Sequence, residues 1–186
     1  MVKWCDLFQG SMEAWRPFFR SCFWCIKDNR LIWFQYRIIY KLLGTREYLY
    51  KLKISDTDKC HFCNEESESI THMFALCPKV KDIWEVLKNW IRNVLKVAIN
   101  FNSCTLILGY TNQDKNFWPL NFVLMCTRFY IFSSSRKKNQ LNFHQLQNVI
   151  KSIYDEQKQL ATINSTLFKF DKMWCEWKYL FRNITG

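Results

Sequence analysis

Residues 60–77 read Cys60-His-Phe-Cys63-Asn-Glu-Glu-Ser-Glu-Ser-Ile-Thr-His72-Met-Phe-Ala-Leu-Cys77. They hold the pattern Cys-x2-Cys-x8-His-x4-Cys, whose three thiolates and one imidazole make a full tetrahedral ligand set for structural zinc. A two-residue gap lets both thiolates of a tight turn face one ion, and the loop returns His72 and Cys77 from the other side. Such a set is closed, with no position left for a catalytic water. Between the ligand pairs, Asn64 to Ser69 is too hydrophilic to hold a shape unless its ends are tied, and a metal is the tie the sequence offers. Two alternatives stand beside this reading. The four are buried thiols with a core histidine, or His61, next to Cys60, replaces His72 as ligand.

On the amino-terminal side of this pattern a helix is marked from Asp28. Asp28 or Asn29 caps its start, Gly44 supplies a left-handed stop, and neither glycine nor proline interrupts it. Thr45 then caps a shorter helix through about Leu52, and the polar residues 55–58 lead the chain to Cys60. On the other side, Pro78 fits the first turn of a helix in which Val80, Ile83, Trp84, Leu87, Ile91, Val94 and Leu95 recur at helical spacing. Thr105 to Tyr110 is the only plausible strand. Leu120 to Phe132 reads as a buried helix, followed by a basic, polar link over residues 133–139. A long helical region closes the chain, with one stripe of Phe143, Leu146, Ile150 and Ile153. A second stripe holds Leu167, Phe170, Trp174, Trp177 and Phe181, and Ser165 or Thr166 divides the two. The fold class is therefore mainly α: an irregular helical domain with an inserted CCHC zinc knuckle and at most one or two short strands. Residues 1–27 are expected to be a lead-in from a missing upstream region. Residues 28–98 form the helical hairpin, the knuckle and the following helix, and residues 99–186 form a carboxyl-terminal helical region.

With 186 residues, 49% of them hydrophobic and 18% aromatic, the chain can bury a real core and is too apolar for disorder. Twenty-seven Lys and Arg against sixteen Asp and Glu leave a net charge of +11, which favours a polyanion such as RNA or DNA over a membrane surface. The longest apolar stretch, Leu120 to Phe132, is broken by Asn121, Thr127 and Arg128 and falls short of the roughly 20 residues a spanning helix needs. The amino terminus lacks the apolar run of a secretory signal. Nine cysteines, an odd number, with three of them at ligand spacing near a histidine, point to metal in a reducing compartment, the cytoplasm or nucleus. Cys22-Phe-Trp-Cys25 has no second half nearby and reads as a pair of buried helical thiols. Cys5, Cys104, Cys126 and Cys175 read as small core residues, and His144 as a polar residue at a helix start.

At 100° per residue, Leu31, Ile32, Ile38, Ile39, Leu42 and Leu43 fall on one side of the first helix. The opposite side carries Arg30, Arg37 and Lys41, with Trp33, Phe34 and Tyr40 between and beside them. Cations grip phosphates and flat rings accept unstacked bases, so this face suits single strands or RNA–DNA junctions. Equally, the rings can pack against other protein while the cations reach for water. Arg46, Lys51, Lys53 and Lys59 extend the positive charge toward the knuckle, and Lys79 and Lys81 resume it beyond. Arg136, Lys137 and Lys138 read as a solvated loop.

The run Trp33-Phe-Gln-Tyr-Arg-Ile-Ile-Tyr-Lys-Leu-Leu-Gly44-Thr-Arg-Glu-Tyr-Leu, with Cys60-His-Phe-Cys63 and His72-Met-Phe-Ala-Leu-Cys77-Pro, resembles the reverse-transcriptase zinc-binding segment of LINE-type retrotransposons, which lack long terminal repeats. Ile107-Leu-Gly-Tyr110, Arg128-Phe-Tyr-Ile131 and Lys169-Phe170 through Trp174 are similar to the tail of that family, so the resemblance spans residues 28–181. It implies a helical hairpin following the polymerase thumb and a module that binds template RNA or target DNA during target-primed reverse transcription. The polymerase region of the same polyprotein is the second implied partner. Catalysis is not expected of this chain itself: it has no Asp-Asp pair for polymerase metals, no glycine-rich phosphate loop and no nucleophile–base pair. A structural domain that docks on a polymerase is the competing expectation. Such elements also persist as truncated copies, for which no selected function is implied.

Overall fold

Asp28 caps helix α1, Asn29–Ile39, by accepting a 2.8 Å hydrogen bond from the Arg30 backbone N–H. The computed structural model describes residues 26–110, 117–182 and 184. Apart from Ile26 and Lys27, the expected lead-in therefore lies outside the described residues, together with Cys5 and the Cys22 and Cys25 pair. α1 stops short of Gly44. Lys41 takes the left-handed conformation at φ 54°, while the Leu42 N–H bonds the Arg37 carbonyl at 2.7 Å and the Lys41 N–H bonds Ile38 at 3.0 Å. These are the two bonds of a Schellman stop, with a lysine in the place where glycine was expected. The early stop turns Leu43 into the core and leaves Leu42 half exposed, so Leu42 departs from the aliphatic face assigned to it.

Thr45 caps α2, Arg46–Lys51, as the sequence indicates, through its hydroxyl and the Tyr48 N–H. A π-helical turn, His72–Leu76, leads into α3, Pro78–Leu95, which buries Val80, Ile83, Trp84, Leu87 and Ile91 and ends on left-handed Lys96. The expected strand is instead a short helix, α4, Ser103–Leu108. Asn102 and Thr105 exchange side-chain and backbone bonds of 2.9 Å in a capping box. That local closure overrides the β preference of the run, and Leu106, Ile107 and Leu108 are all buried. Gly109 follows at φ 86°, where an added Cβ would come within 2.6 Å of Asn121 Oδ1. Asn121 needs that approach, because its amide accepts from the Tyr110 N–H and donates to the Tyr110 carbonyl.

The central element is α5, Trp118–Lys137. It extends through most of the segment expected to be a polar link, and Ser134 and Ser135 are buried rather than solvated. Helices α6, Phe143–Ile163, and α7, Leu167–Trp174, are divided by Ser165 at φ 54°, and a 3-10 turn, Trp177–Phe181, follows. α5 packs against α1, α4, α6, α7 and the π turn, which makes one continuous core. At its far end Trp174 meets Phe122, Tyr154 and Phe181 at centroid distances of 5.0, 4.7 and 5.6 Å. Buried Arg128 donates to the Leu106 carbonyl at 3.1 Å and Gln35 to that of Ile107 at 3.4 Å, so both close the carboxyl end of α4. The fold is mainly helical, as expected. Among the described residues no strand forms, and the sole β feature is an antiparallel bridge between Lys59 and Ser67.

Phe34 corrects the face drawn from the helical wheel. It is buried, with Phe74, Phe129 and Phe132 at 6.2, 5.4 and 5.6 Å, whereas Trp33 is 60% exposed. Phe34→Ala should therefore cost about 3–5 kcal/mol in urea unfolding. The adjacent Trp33→Ala should change stability by less than about 0.5 kcal/mol. Equal losses from the two would contradict this orientation of α1.

Candidate metal centre

Cys60, Cys63, His72 and Cys77 bring their ligand atoms within 4.8 Å of one another. Cys60 and Cys77 are fully buried, and the His72 side chain is 4% exposed. Two edges of the cluster are 3.8 Å, between the sulfurs of Cys60 and Cys77, and 3.4 Å, between Cys63 Sγ and His72 Nε2. A tetrahedral ion with bonds of about 2.3 Å to sulfur and 2.0–2.1 Å to nitrogen requires edges of about 3.5–3.8 Å. The residues present therefore fit a four-coordinate thiolate–imidazole centre. Glu66 Oε2 lies 3.2 Å from His72 Nδ1, the ring nitrogen turned away from Cys63, where a carboxylate favours Nε2 as the ligand atom. His61 is not part of the cluster. Its ring stands edge-on to Phe62 at 5.4 Å, and the histidine grouped with the three cysteines is His72.

The π turn explains the ligand spacing on the core side. The Cys77 N–H bonds the His72 carbonyl at 2.8 Å, five residues back, so the wider turn brings to one side two residues that an α-helix would separate by about 140°. Met73, Phe74 and Ala75 point into the core, and Trp84 Nε1 donates to the Phe74 carbonyl at 2.8 Å. The other ligand pair sits on a loop closed by its own backbone. Cys60 N–H bonds Glu66 and Glu68 N–H bonds Asp58, both at 2.7 Å, on either side of the Lys59–Ser67 bridge. A metal is thus not the sole tie on the hydrophilic segment. Cys60 Sγ donates to Cys77 Sγ, and the Cys60 thiol is pushed up by that bond and then by burial, while the Cys77 thiol is drawn down by the same bond.

Glu68, which the sequence presents as loop filler, is completely buried. Its carboxylate accepts from the backbone N–H of Arg46 at 3.0 Å and of His61 at 3.2 Å, from Ser135 Oγ at 2.9 Å and from Arg136 Nη2 at 2.6 Å. One side chain therefore joins the start of α2, the knuckle and the last turn of α5. The unbroken run of polar residues around it hides this role. Arg136 is correspondingly a structural contact, not part of a solvated loop.

The basic residues proposed as contacts divide by employment. Arg46 donates to the Lys59 carbonyl at 3.0 Å and Lys59 to that of Glu65 at 2.8 Å, so both also hold the knuckle. Arg30 pairs with Asp28 and Glu156, and Lys51 with Glu47. Arg37, Lys53, Lys79 and Lys81 are exposed, and Lys41 is half-buried. Tyr40 is 43% exposed, and its ring lies 4.3 Å from Tyr36, which in turn meets Trp33 at 5.4 Å. Tyr36 was absent from the predicted face, although its position between Trp33 and Tyr40 at helical spacing signals it. Of the remaining thiols, Cys126 is buried, Cys104 is half-buried with its pKa raised to about 11 by burial, and Cys175 is exposed, contrary to its reading as a core residue. His144 is exposed in the first turn of α6, as expected. No described helix is long and apolar enough to cross a membrane.

Residues 4–84 match the family described as zinc-binding in reverse transcriptase, and all four cluster residues fall inside that span. This segment of the chain is thus a reverse-transcriptase zinc-binding domain. No curated protein and no solved structure matches the chain.

Removing the buried carboxylate leaves its donors without a partner. Glu68→Ala should lower stability by about 2–4 kcal/mol. Arg136→Ala should cost less, because Arg136 is 30% exposed and leaves Glu68 three other donors. Denaturant unfolding of the two variants checks the order, and a larger loss for Arg136→Ala would refute it.

Proposed function

We propose that this chain is the zinc-binding module of a LINE-type retrotransposon reverse transcriptase and that it holds RNA, or single-stranded or target DNA, beside the polymerase during target-primed reverse transcription. The observation that carries the reading is the outer side of α1. Its inner side is committed to the core, yet Trp33, Tyr36 and Tyr40 form a ladder of neighbouring rings outside it, flanked by exposed Arg37. Rings stack on any base and cations meet any phosphate, so such a face binds without strong sequence preference. The net charge of +11 supplies long-range attraction for a polyanion. Zinc, held by Cys60, Cys63, His72 and Cys77, fixes the knuckle against the helices, and the chain performs no catalysis of its own. A second reading, docking on a polymerase region, is favoured by the exposed apolar residues Tyr50, Leu52 and Ile54 at and beyond the end of α2.

One zinc should be found per chain in fresh, reduced, untagged protein, and Cys63→Ser should lose it. Loss should disorder residues 59–78 more than the helices, which have their own apolar stripes. Metal analysis with amide exchange over that segment checks both points. Near-zero zinc, or unchanged zinc in the variant, would overturn the assignment.

Fluorescence titration of RNA and single-stranded DNA at several salt concentrations tests the nucleic-acid reading. Contact with four to six phosphates should give a log–log salt slope of roughly −3 to −5. Arg37→Ala should flatten that slope by about one unit. Trp33→Ala should weaken single-strand binding by about 1–3 kcal/mol and leave the slope nearly unchanged. If folded Arg37→Ala and Trp33→Ala both bind like the parent, α1 is a packing surface and docking takes precedence.

A further inference from the structure

A cleft of about 600 Å³ lies between the knuckle, the first turns of α3 and the connection from α5 to α6. Its size is within the roughly 300–1,000 Å³ range of small-molecule sites. His61 and Phe62 come from the knuckle, Lys79 from α3, and Lys138, Asn139 and Gln140 from the connection. Residues 138–140 lie outside the family match, so this site is not contained in the matched segment.

Glu68 explains why these walls meet. Its carboxylate grips the His61 N–H on one side, and Ser135 and Arg136 on the other. Two residues after Arg136 the chain reverses at Lys138, whose φ of 57° ends α5 and turns the next residues along the cleft. At the opposite wall Phe143 is braced by Trp90 at 5.8 Å. Two ammonium groups, a half-buried aromatic ring and two adjacent carboxamides thus share one concavity. Ammonium groups recognise a phosphate, a ring accepts a base face, and carboxamides pair with the donor and acceptor atoms of a base edge. Asp82 also lines the cleft and supplies an acceptor for an exocyclic amine.

We propose that this cleft takes one unstacked nucleotide of a single strand, with Lys79 and Lys138 on its phosphate, Phe62 against the base, and Asn139 and Gln140 reading the base edge. The proposal extends the nucleic-acid reading above. It gives the chain a base-discriminating position in addition to the sequence-tolerant face of α1, and uridine, without an exocyclic amine, is the weakest occupant.

The test titrates each nucleoside monophosphate into isotope-labelled, zinc-loaded full chain and follows backbone amide resonances. Saturable shifts should appear at residues 61–62 and 138–141, with uridine monophosphate weakest. Asn139→Ala with Gln140→Ala should reduce the spread in affinity between the best and worst base by at least roughly fivefold. Both residues are exposed, so the variant folds. Lys138→Asn, which tolerates the left-handed backbone, should weaken all four monophosphates, and Trp33→Ala should leave the cleft shifts in place. Shifts confined to α1, shifts reproduced fully by inorganic phosphate, or a base spread unchanged in the carboxamide variant would each overturn the proposal. Cleft shifts with monophosphates but no binding of oligonucleotides would reduce the cleft to a mononucleotide site and overturn both the single-strand proposal and the wider reading. Oligonucleotide binding without cleft shifts would overturn the cleft alone.

Discussion

A single buried carboxylate, Glu68, is the point on which the arrangement of the knuckle against the helices depends. It is cut off from water, and an isolated carboxylate there would be expensive. The cost is offset by one guanidinium and three neutral donors drawn from α2, the knuckle and α5. Those donors are useful because they are far apart in sequence. Arg136 lies 68 residues from Glu68, and the bond between them closes the loop of chain that contains the π turn, α3 and α4. A hydrophobic contact would have supplied similar energy with less direction. The carboxylate instead fixes which backbone N–H faces which helix end.

The metal cluster is assembled from two halves with different supports. His72 and Cys77 stand on a π turn whose Met73, Phe74 and Ala75 side chains are core residues, so that half is anchored in the helical core. Cys60 and Cys63 stand on a short antiparallel loop with its own backbone pairing. The four ligands could close on one metal ion while Glu68 aligns the halves, which separates the task of closing the knuckle from that of aiming it. The same alignment places His61 and Phe62 opposite residues 138–141, so the cleft there is a consequence of how the knuckle is held. On α1 the division is between adjacent residues: Phe34 enters the core among three rings, and Trp33 faces water.

The Cys/His cluster, the helices and their main stripes were legible in the sequence because each rests on local rules. Ligand spacing follows from the reach of a turn, as with Cys60 and Cys63. Helix starts follow from a side chain bonding a backbone N–H two or three residues away, as with Asp28 and Thr45. The apolar repeat of α3 follows from helical geometry. Tertiary structure alone decided the rest. Lys41 replaced Gly44 as the helix stop because Leu43 is required in the core, and residues 133–137 became helix because Ser135 and Arg136 have a buried partner 67 and 68 residues away. Thr105 to Tyr110 looks like a strand by composition, yet no described strand exists for it to pair with, and the capping box at Asn102 closes it into a helix. Glu68 and a solvated glutamate such as Glu65 are indistinguishable as letters. Their difference is the burial of one and not the other, and burial depends on everything that folds around them.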